Sequence, residues 1–147
     1  MKKQNVFKTV FIALTLMISL ASCANEEVIP AAKLPAEVQT YISTHFPTHT
    51  ILQAVVDIDG FTKTYDILLS DRVKLEFNRK GQVIDIDSET ALPDSVIPEK
   101  IRQYVAANYP ASVIVGWELE DRHQQVKLNN GLDLEFTMSG DFLRIDA

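Results

Sequence analysis

Few residue types in this chain could carry a reaction, since it holds one cysteine, Cys23, and three histidines. His45 and His49 are four residues apart, as in some zinc sites, but Pro47 between them disrupts the helix that would align both imidazoles. No third ligand lies close in sequence, and a His-Glu-x-x-His motif is absent. We therefore expect His45 to end a helix, His49 to lie in a loop, and neither to bind metal.

Acidic residues are the other candidates for chemistry. The stretch "DIDG" at residues 57–60 is like the start of a calcium loop, but the remaining oxygen ligands and the closing glutamate are missing. A hairpin turn at Asp59-Gly60 explains it better. The sequence also lacks a Gly-x-Ser-x-Gly elbow, a phosphate-binding glycine loop and a dinucleotide fingerprint. We predict a protein that is not an enzyme and has no cofactor, with a hydrolase built on clustered acids as the less favoured reading.

Cys23 follows a segment typical of a secretory signal. Lys2, Lys3 and Lys8 are basic, and residues 10–21 form an uncharged apolar run shorter than the roughly 20 residues of a membrane-spanning helix. The residues Leu20–Cys23, "LASC", resemble the lipobox of bacterial lipoproteins. This resemblance implies a diacylglycerol on the Cys23 sulfur and cleavage before it. An ordinary signal peptide with an accidental cysteine is the alternative.

Removal of residues 1–22 as a signal peptide leaves 125 of the 147 residues, enough for one ordinary core. The removed part holds three lysines and no acid, so the net charge changes from −6 to −9. An acidic domain repels phosphate backbones, which argues against nucleic acid as a partner and leaves a lipid on Cys23 as the membrane attachment. A basic partner or cations are compatible with this charge.

The segment after the cysteine is polar, and residues 23–28 are predicted to be a tether between lipid and fold. Glu26 and Glu27 resemble a surface-export signal of some bacterial lipoproteins. We therefore expect a lipid-anchored location in the cell envelope, at the outer membrane, facing the periplasm or the surface. One thiol cannot form an intramolecular disulfide, so the domain must be stable without one.

The mature chain contains an internal repeat. Pro35, Tyr41 and Pro47 recur 63 residues later as Pro98, Tyr104 and Pro110. Further on the offset becomes 59, and the equivalent pairs include Leu75 with Leu134, Phe77 with Phe136, and Gly81 with Gly140. The difference of four residues fits a shorter hairpin in the second copy. Residues 29–88 and 89–147 are therefore predicted to be two copies of one unit.

Each copy predicts a helix followed by four strands. Val38, Tyr41 and Ile42 recur at helical spacing, and Pro47 ends that helix. The stretch "RVKLEFN" at residues 72–78 alternates apolar and polar side chains, which indicates a strand with one buried and one solvated face. Two copies of this α-β-β-β-β unit predict an α+β fold, in which an eight-stranded antiparallel sheet carries the helices on one face.

The motifs "YISTHFP" with "LEFNRKGQVIDID", and "YVAANYP" with "LEFTMSGDFLRID", resemble the PepSY-like, beta-lactamase-inhibitor-like family of bacterial lipoproteins. The resemblance covers nearly the whole mature chain. It implies a helix-capped sheet duplicated in tandem, and a general binding role through the uncovered sheet face. The chain lacks the disulfide cysteines of the secreted beta-lactamase inhibitors, and the resemblance assigns it no site residue.

The uncovered sheet face is the best functional candidate from the sequence. Trp117 is expected in the core with Val115 and Leu119. Val83 and Phe142 occupy equivalent positions after the glycine turns, where they would be apolar anchors for a protein or peptide partner. A small ligand or cation is the alternative occupant. The other residues predicted for this face are Val55, Asp57, Leu68, Lys74, Glu76, Asp85, Glu118, Lys127, Asp133, Glu135 and Arg144.

Overall fold

A computed structural model describes residues 25–146, so the predicted signal peptide, residues 1–22, and Cys23 lie outside the described residues. The helices are α1 (Ala36–His45) and α2 (Glu99–Asn108). Short 3-10 turns cover Ala31–Lys33, Ser70–Arg72 and Asp94–Val96. The strands are β1 (Asn25–Val28), β2 (Ile51–Asp59), β3 (Thr62–Leu69), β4 (Lys74–Asn78), β5 (Val83–Asp87), β6 (Ile114–Leu119), β7 (His123–Leu128), β8 (Asp133–Thr137) and β9 (Phe142–Asp146).

The strands form one antiparallel sheet in which each strand pairs with its neighbours in sequence, from β1 to β9. The α+β class is confirmed, but the predicted count of eight strands is wrong because part of the predicted tether is a strand. Asn25–Val28 pairs with β2, and Glu26 lies opposite Asp57. All four side chains of β1 are exposed, so the sequence of β1 shows no alternation of buried and exposed residues that would predict a strand. Backbone hydrogen bonds to the edge of β2 hold β1 in the sheet instead.

The two helices begin and end at equivalent positions of the two repeats. Pro35 and Pro98 occupy the N-cap positions with φ of −53° and −52°. At the other end, the Phe46 N–H donates to the Ile42 carbonyl at 2.8 Å, and the Tyr109 N–H donates to the Val105 carbonyl at 2.7 Å. Within residues 25–146, no helix has the length and apolar character needed to cross a bilayer.

The two helices pack on the same face of the sheet. Tyr41 of α1 meets Phe77 edge-on with ring centroids 5.4 Å apart, and Tyr104 of α2 meets Phe136 in the same way at 5.4 Å. The helix residues Val38, Ile42, Ile101 and Val105 are buried in the same core as the strand residues Ile67, Leu75, Ile86, Val126 and Leu134.

Trp117 packs against this core, as predicted. Its Nε1 donates a hydrogen bond to Oε1 of the buried Gln124 at 3.1 Å. The Gln124 amide in turn donates to the Thr137 carbonyl at 3.1 Å, so the indole N–H and the amide N–H both have acceptors within the protein.

A β-bulge in each half reverses the predicted orientation of Val83 and Phe142. In β4 and β5, Glu76 pairs with Asp85 but Phe77 pairs with Val83, which leaves Ile84 as an extra residue. In β8 and β9 the same shift makes Phe142 the partner of Phe136. The extra residue moves the side chains beyond it to the other face.

Val83 and Phe142 therefore lie on the helix side and are not anchors on the uncovered face. The Phe142 ring stacks on Tyr104 with centroids 4.6 Å apart and an interplanar angle of 11°. Val83 packs against the same core from the first half.

This placement predicts that Phe142→Ala destabilises the fold by about 2 kcal/mol, because the substitution removes partly buried ring contacts from the core. Leu143→Ala is the matched control, since the neighbouring Leu143 side chain is half-exposed. We expect the control to change the free energy of unfolding by less than about 0.5 kcal/mol. Urea unfolding measures both, and equal effects of the two substitutions would contradict the bulge.

Candidate functional site

The open face, defined as the sheet face opposite α1 and α2, carries a continuous row of cross-strand neighbours. The register places one residue from each of the nine strands in this central row. The central row runs Val28, Val55, Asp66, Glu76, Asp85, Glu118, Gln125, Glu135, Arg144.

A second row lies beside the central row on the same face, two residues along each strand. It runs Leu68, Lys74, Asp87, Gly116, Lys127, Asp133. Except for Val83 and Phe142, the residues predicted for this face fall in the two rows, or, for Asp57, two residues beyond Val55 on β2.

Four adjacent positions of the central row are acidic. Asp66, Glu76, Asp85 and Glu118 come from β3, β4, β5 and β6, and each lies directly opposite the next. Directly opposite side chains in antiparallel sheets have Cβ atoms roughly 5 Å apart, and like charges at such positions repel. Among residues 25–146, the ion pairs involve none of these four carboxylates.

These four residues, Asp66, Glu76, Asp85 and Glu118, are called the acidic segment of the central row. Burial and mutual repulsion raise the pKa values of carboxylates within it. Burial, followed by the charges of Glu118 and Asp87, raises the pKa of Asp85 to about 6 from its ordinary value of 3.8. Burial and then the neighbouring carboxylates Asp66 and Asp85 raise the pKa of Glu76. Near neutral pH, this part of the face therefore holds negative charge at an energetic cost.

The equivalent position in the second half is neutralised from within the chain. Glu135 corresponds to Glu76 and is 5% exposed, and Arg144 corresponds to Asp85. The Arg144 Nη2 donates to the Glu135 Oε1 at 2.8 Å, and His123 Nε2 lies 3.9 Å from Oε2. One structural site thus carries a Glu–Arg pair in one repeat and a Glu–Asp pair in the other.

Two adjoining depressions indent the open face around the acidic segment. One, of about 310 Å³, is lined by the apolar side chains Val55 and Leu68, here called the apolar floor, and by the charged residues Asp66, Lys74, Glu76 and Asp85. The other, of about 370 Å³, extends from Asp85 over Gly116, where an added Cβ would lie only 3.1 Å from the Lys127 Cβ.

The open face combines negative charge with apolar side chains. Within the described part of the chain, no three His, Cys, Asp or Glu side chains converge as a metal site requires. His45 hydrogen-bonds Ser95 at 2.9 Å, and His49 Nε2 lies 3.7 Å from Asp71, so the two histidines serve separate local contacts. The acidic segment attracts positive charge, and its apolar floor offers contact area.

Asp66, Asp87 and Gln125 belong to the open face but were not identified from the sequence. Asp66 could have been found, since Tyr65, Ile67 and Leu69 are all buried in an alternating strand. What alternation cannot provide is the register between strands, and only the register places Asp66 beside Glu76.

The raised pKa of Asp85 predicts that Asp85→Asn stabilises the fold. The ionised carboxylate is penalised only in the folded state, so the penalty is absent below about pH 4, grows between about pH 4 and 6, and is complete above pH 6. With solvent screening, we expect a gain on the order of 1 kcal/mol at pH 7.5 and little difference at pH 3.5.

Urea unfolding at both pH values measures this gain, with Asp121→Asn in the exposed β6–β7 turn as the matched control. The control should be neutral to within about 0.5 kcal/mol at both pH values. An Asp85→Asn variant no more stable than the parent at pH 7.5 would show that the carboxylate is well solvated or well paired.

Comparison with known proteins gives the family. The family described as "Putative beta-lactamase-inhibitor-like, PepSY-like" matches the chain twice, over residues 20–85 and 63–144. Two matches in succession are consistent with a tandem repeat, and they confirm the resemblance deduced from the sequence motifs. Among curated proteins, no sequence matches this chain significantly.

Solved structures share this fold at substantial identity. One is a "putative periplasmic protein from DUF2874 family" of Bacteroides vulgatus, with 35% identity, a TM-score of 0.79, and coverage of 84% of this chain and 98% of that one. A second from Bacteroides vulgatus, also described as a "putative periplasmic protein", has 32% identity, a TM-score of 0.79, and coverage of 84% and 100%.

A third is a "putative calcium-regulated periplasmic protein" of Bacteroides thetaiotaomicron, with 28% identity, a TM-score of 0.80, and coverage of 83% and 97%. The two family matches together extend over most of the length of the chain, and the shared fold agrees with them. This chain therefore belongs to the PepSY-like, beta-lactamase-inhibitor-like family.

Proposed function

We propose that this protein is a lipid-anchored module of the cell envelope that binds a protein or peptide through its open face and catalyses no reaction. The observation that carries the proposal is the central row, in which uncompensated carboxylates border an apolar depression on a face that neither α1 nor α2 covers. The descriptions of the family and of the three relatives name no catalytic activity, and the relatives are described as periplasmic.

The dimensions of the open face support a macromolecular partner. Nine strands give eight spacings of about 4.8 Å, so the sheet is about 38 Å wide. Strands of about five residues add a length of roughly 17 Å. The product, on the order of 600 Å², approaches the roughly 800 Å² that each partner contributes to a standard protein interface.

A lipid on Cys23 would hold the sheet close to the bilayer. Cys23 is only two residues before Asn25, where β1 begins. Two residues span at most about 7 Å, so the β1 edge would face the membrane surface and the open face would stand beside it. The first strand therefore replaces the longer tether expected from the sequence.

A cation sensor is the second candidate function. The relative from Bacteroides thetaiotaomicron is described as calcium-regulated, and the acidic segment of this chain would favour a divalent cation electrostatically. The geometry supports this less well, because within residues 25–146 no three candidate ligands converge. Calorimetry with CaCl₂ tests it, and a dissociation constant below about 1 mM, as for extracellular calcium modules, would favour it.

The binding proposal predicts that a photo-crosslinking amino acid at Gln125, on the open face, captures a protein partner in intact cells. The same amino acid at Gln103, exposed on α2, is the matched control and should capture little. Crosslinked products are detected by size and identified by mass spectrometry. Capture from Gln103 alone, or from neither position, would count against the open face as a binding surface.

The proposed lipid on Cys23 is tested separately in the same cells. Cys23→Ser should abolish incorporation of labelled palmitate into the protein, because the cysteine sulfur is the proposed attachment point of the acyl chains. A variant that still incorporates the label would argue against a lipid on Cys23.

A further inference from the structure

The second repeat contains a cationic group where the first repeat has none, and this difference indicates what the first repeat binds. Arg144 lies opposite Glu135 and donates to it at 2.8 Å. The register pairs Glu76 with Asp85 in the same way, so Asp85 occupies the position of Arg144. The fold itself therefore shows how a guanidinium sits beside this glutamate.

The lysines nearest the acidic segment do not replace the missing cation. Lys74 lies in the second row, opposite Leu68 and Asp87, and lines the depression, but it forms no ion pair with Glu76 or Asp85. Lys127 Nζ lies 3.9 Å from an Asp87 carboxylate oxygen, and its charge lowers the pKa of Asp85 by less than burial and the neighbouring carboxylates raise it. Within residues 25–146, Glu76 and Asp85 have no ion-pair partner.

An apolar floor lies beside the unpaired carboxylates. Val55 is adjacent to Asp66 in the central row, and Leu68 is adjacent to Lys74 in the second row. Both side chains are partly buried and line the depression of about 310 Å³ that Glu76 and Asp85 border. A long methylene chain ending in a positive charge matches such a surface, since its stem can cover apolar atoms while its head meets the carboxylates.

Resting on the proposed function, we propose that the open face binds a basic segment of a partner protein, with one lysine or arginine side chain in this depression. The cationic head lies between Glu76 and Asp85, where Arg144 lies in the second repeat. The stem covers Val55 and Leu68. The occupant is a protein segment rather than a free cation, because the carboxylates border an apolar surface that a hydrated ion would leave uncovered.

Such a site responds to pH in a defined direction. Asp85 faces Glu76 on β4 and Glu118 on β6, with Asp66, Lys74, Asp87 and Lys127 as the further charged neighbours. A bound cation requires the ionised carboxylates, and the pKa of Asp85 in the free protein is about 6. The affinity should therefore be full above about pH 7 and fall as the pH falls through 6.

The test uses the full chain in neutral detergent and a fluorescein-labelled hexapeptide of alternating lysine and glycine, measured by fluorescence anisotropy at physiological salt. Glu76→Gln combined with Asp85→Asn should weaken binding at least about tenfold, through loss of the charge-assisted contacts. Glu120→Gln combined with Asp121→Asn changes the net charge equally from the exposed β6–β7 turn, and should weaken binding by no more than about twofold.

Further measurements test separately the stem and the charged head of the bound side chain. Ornithine in place of lysine keeps the charge and shortens the stem by one methylene, which should weaken binding about threefold. Asp85→Arg places the chain's own guanidinium beside Glu76, as in the second repeat, and should abolish peptide binding without loss of stability. Acetylated lysine peptides should not bind.

Several results would overturn the inference. Equal weakening by the two double variants would show attraction by net charge only. Displacement of the peptide by 1 mM CaCl₂, but not by NaCl of equal ionic strength, would assign the site to a divalent cation. If crosslinking from Gln125 persists while lysine and acetyl-lysine peptides bind alike, the proposed function stands and this inference fails. If the crosslinks are absent but the peptide binds selectively, the proposed function fails instead.

Discussion

The edge-on contacts of Tyr41 with Phe77 and of Tyr104 with Phe136 determine which face of this protein is free. Each contact fixes a helix on the same side of the sheet, and the buried residues around it supply the hydrophobic stabilisation. Because the helices occupy one side only, the polar residues that alternate with the core residues gather on the other. The charge pattern of the open face is therefore a direct consequence of how the helices pack.

The two repeats use one scaffold for two different surfaces. The bulges at Glu76/Phe77 and Glu135/Phe136 are equivalent, and so are the glycine turns at Gly81 and Gly140, which both have positive φ. On the core side the edge-on tyrosine–phenylalanine contact recurs in both repeats, although Val83 stands in the first where Phe142 stacks on Tyr104 in the second. On the open face they differ, since a glutamate paired with arginine in one half faces an aspartate in the other. The core is constrained by packing, whereas the open face is free to acquire a binding role.

The sequence predicts most of the fold because its signals are local. Alternation in "RVKLEFN" and the prolines at the helix ends identify strands, helices and the buried face directly. Other features depend on relations between strands. The β1 strand has no buried side chain, the bulge at Ile84 reverses the orientation of Val83, and Asp66 meets Glu76 only through the register. The sequence thus allows each acidic residue to be assigned to the open face, but it does not show that the four residues are neighbours in one row.

The binding role proposed for the open face depends on carboxylates that remain charged although they are partly buried and unpaired. The most direct measurement is the titration of the side-chain carboxyl carbons by NMR, with Asp85→Asn to assign the resonance. We predict that Asp85 titrates near pH 6 in the free protein, well above its ordinary value of 3.8. An Asp85 that titrates near its ordinary value would show that the open face is an ordinary solvated surface, and would contradict its proposed binding role.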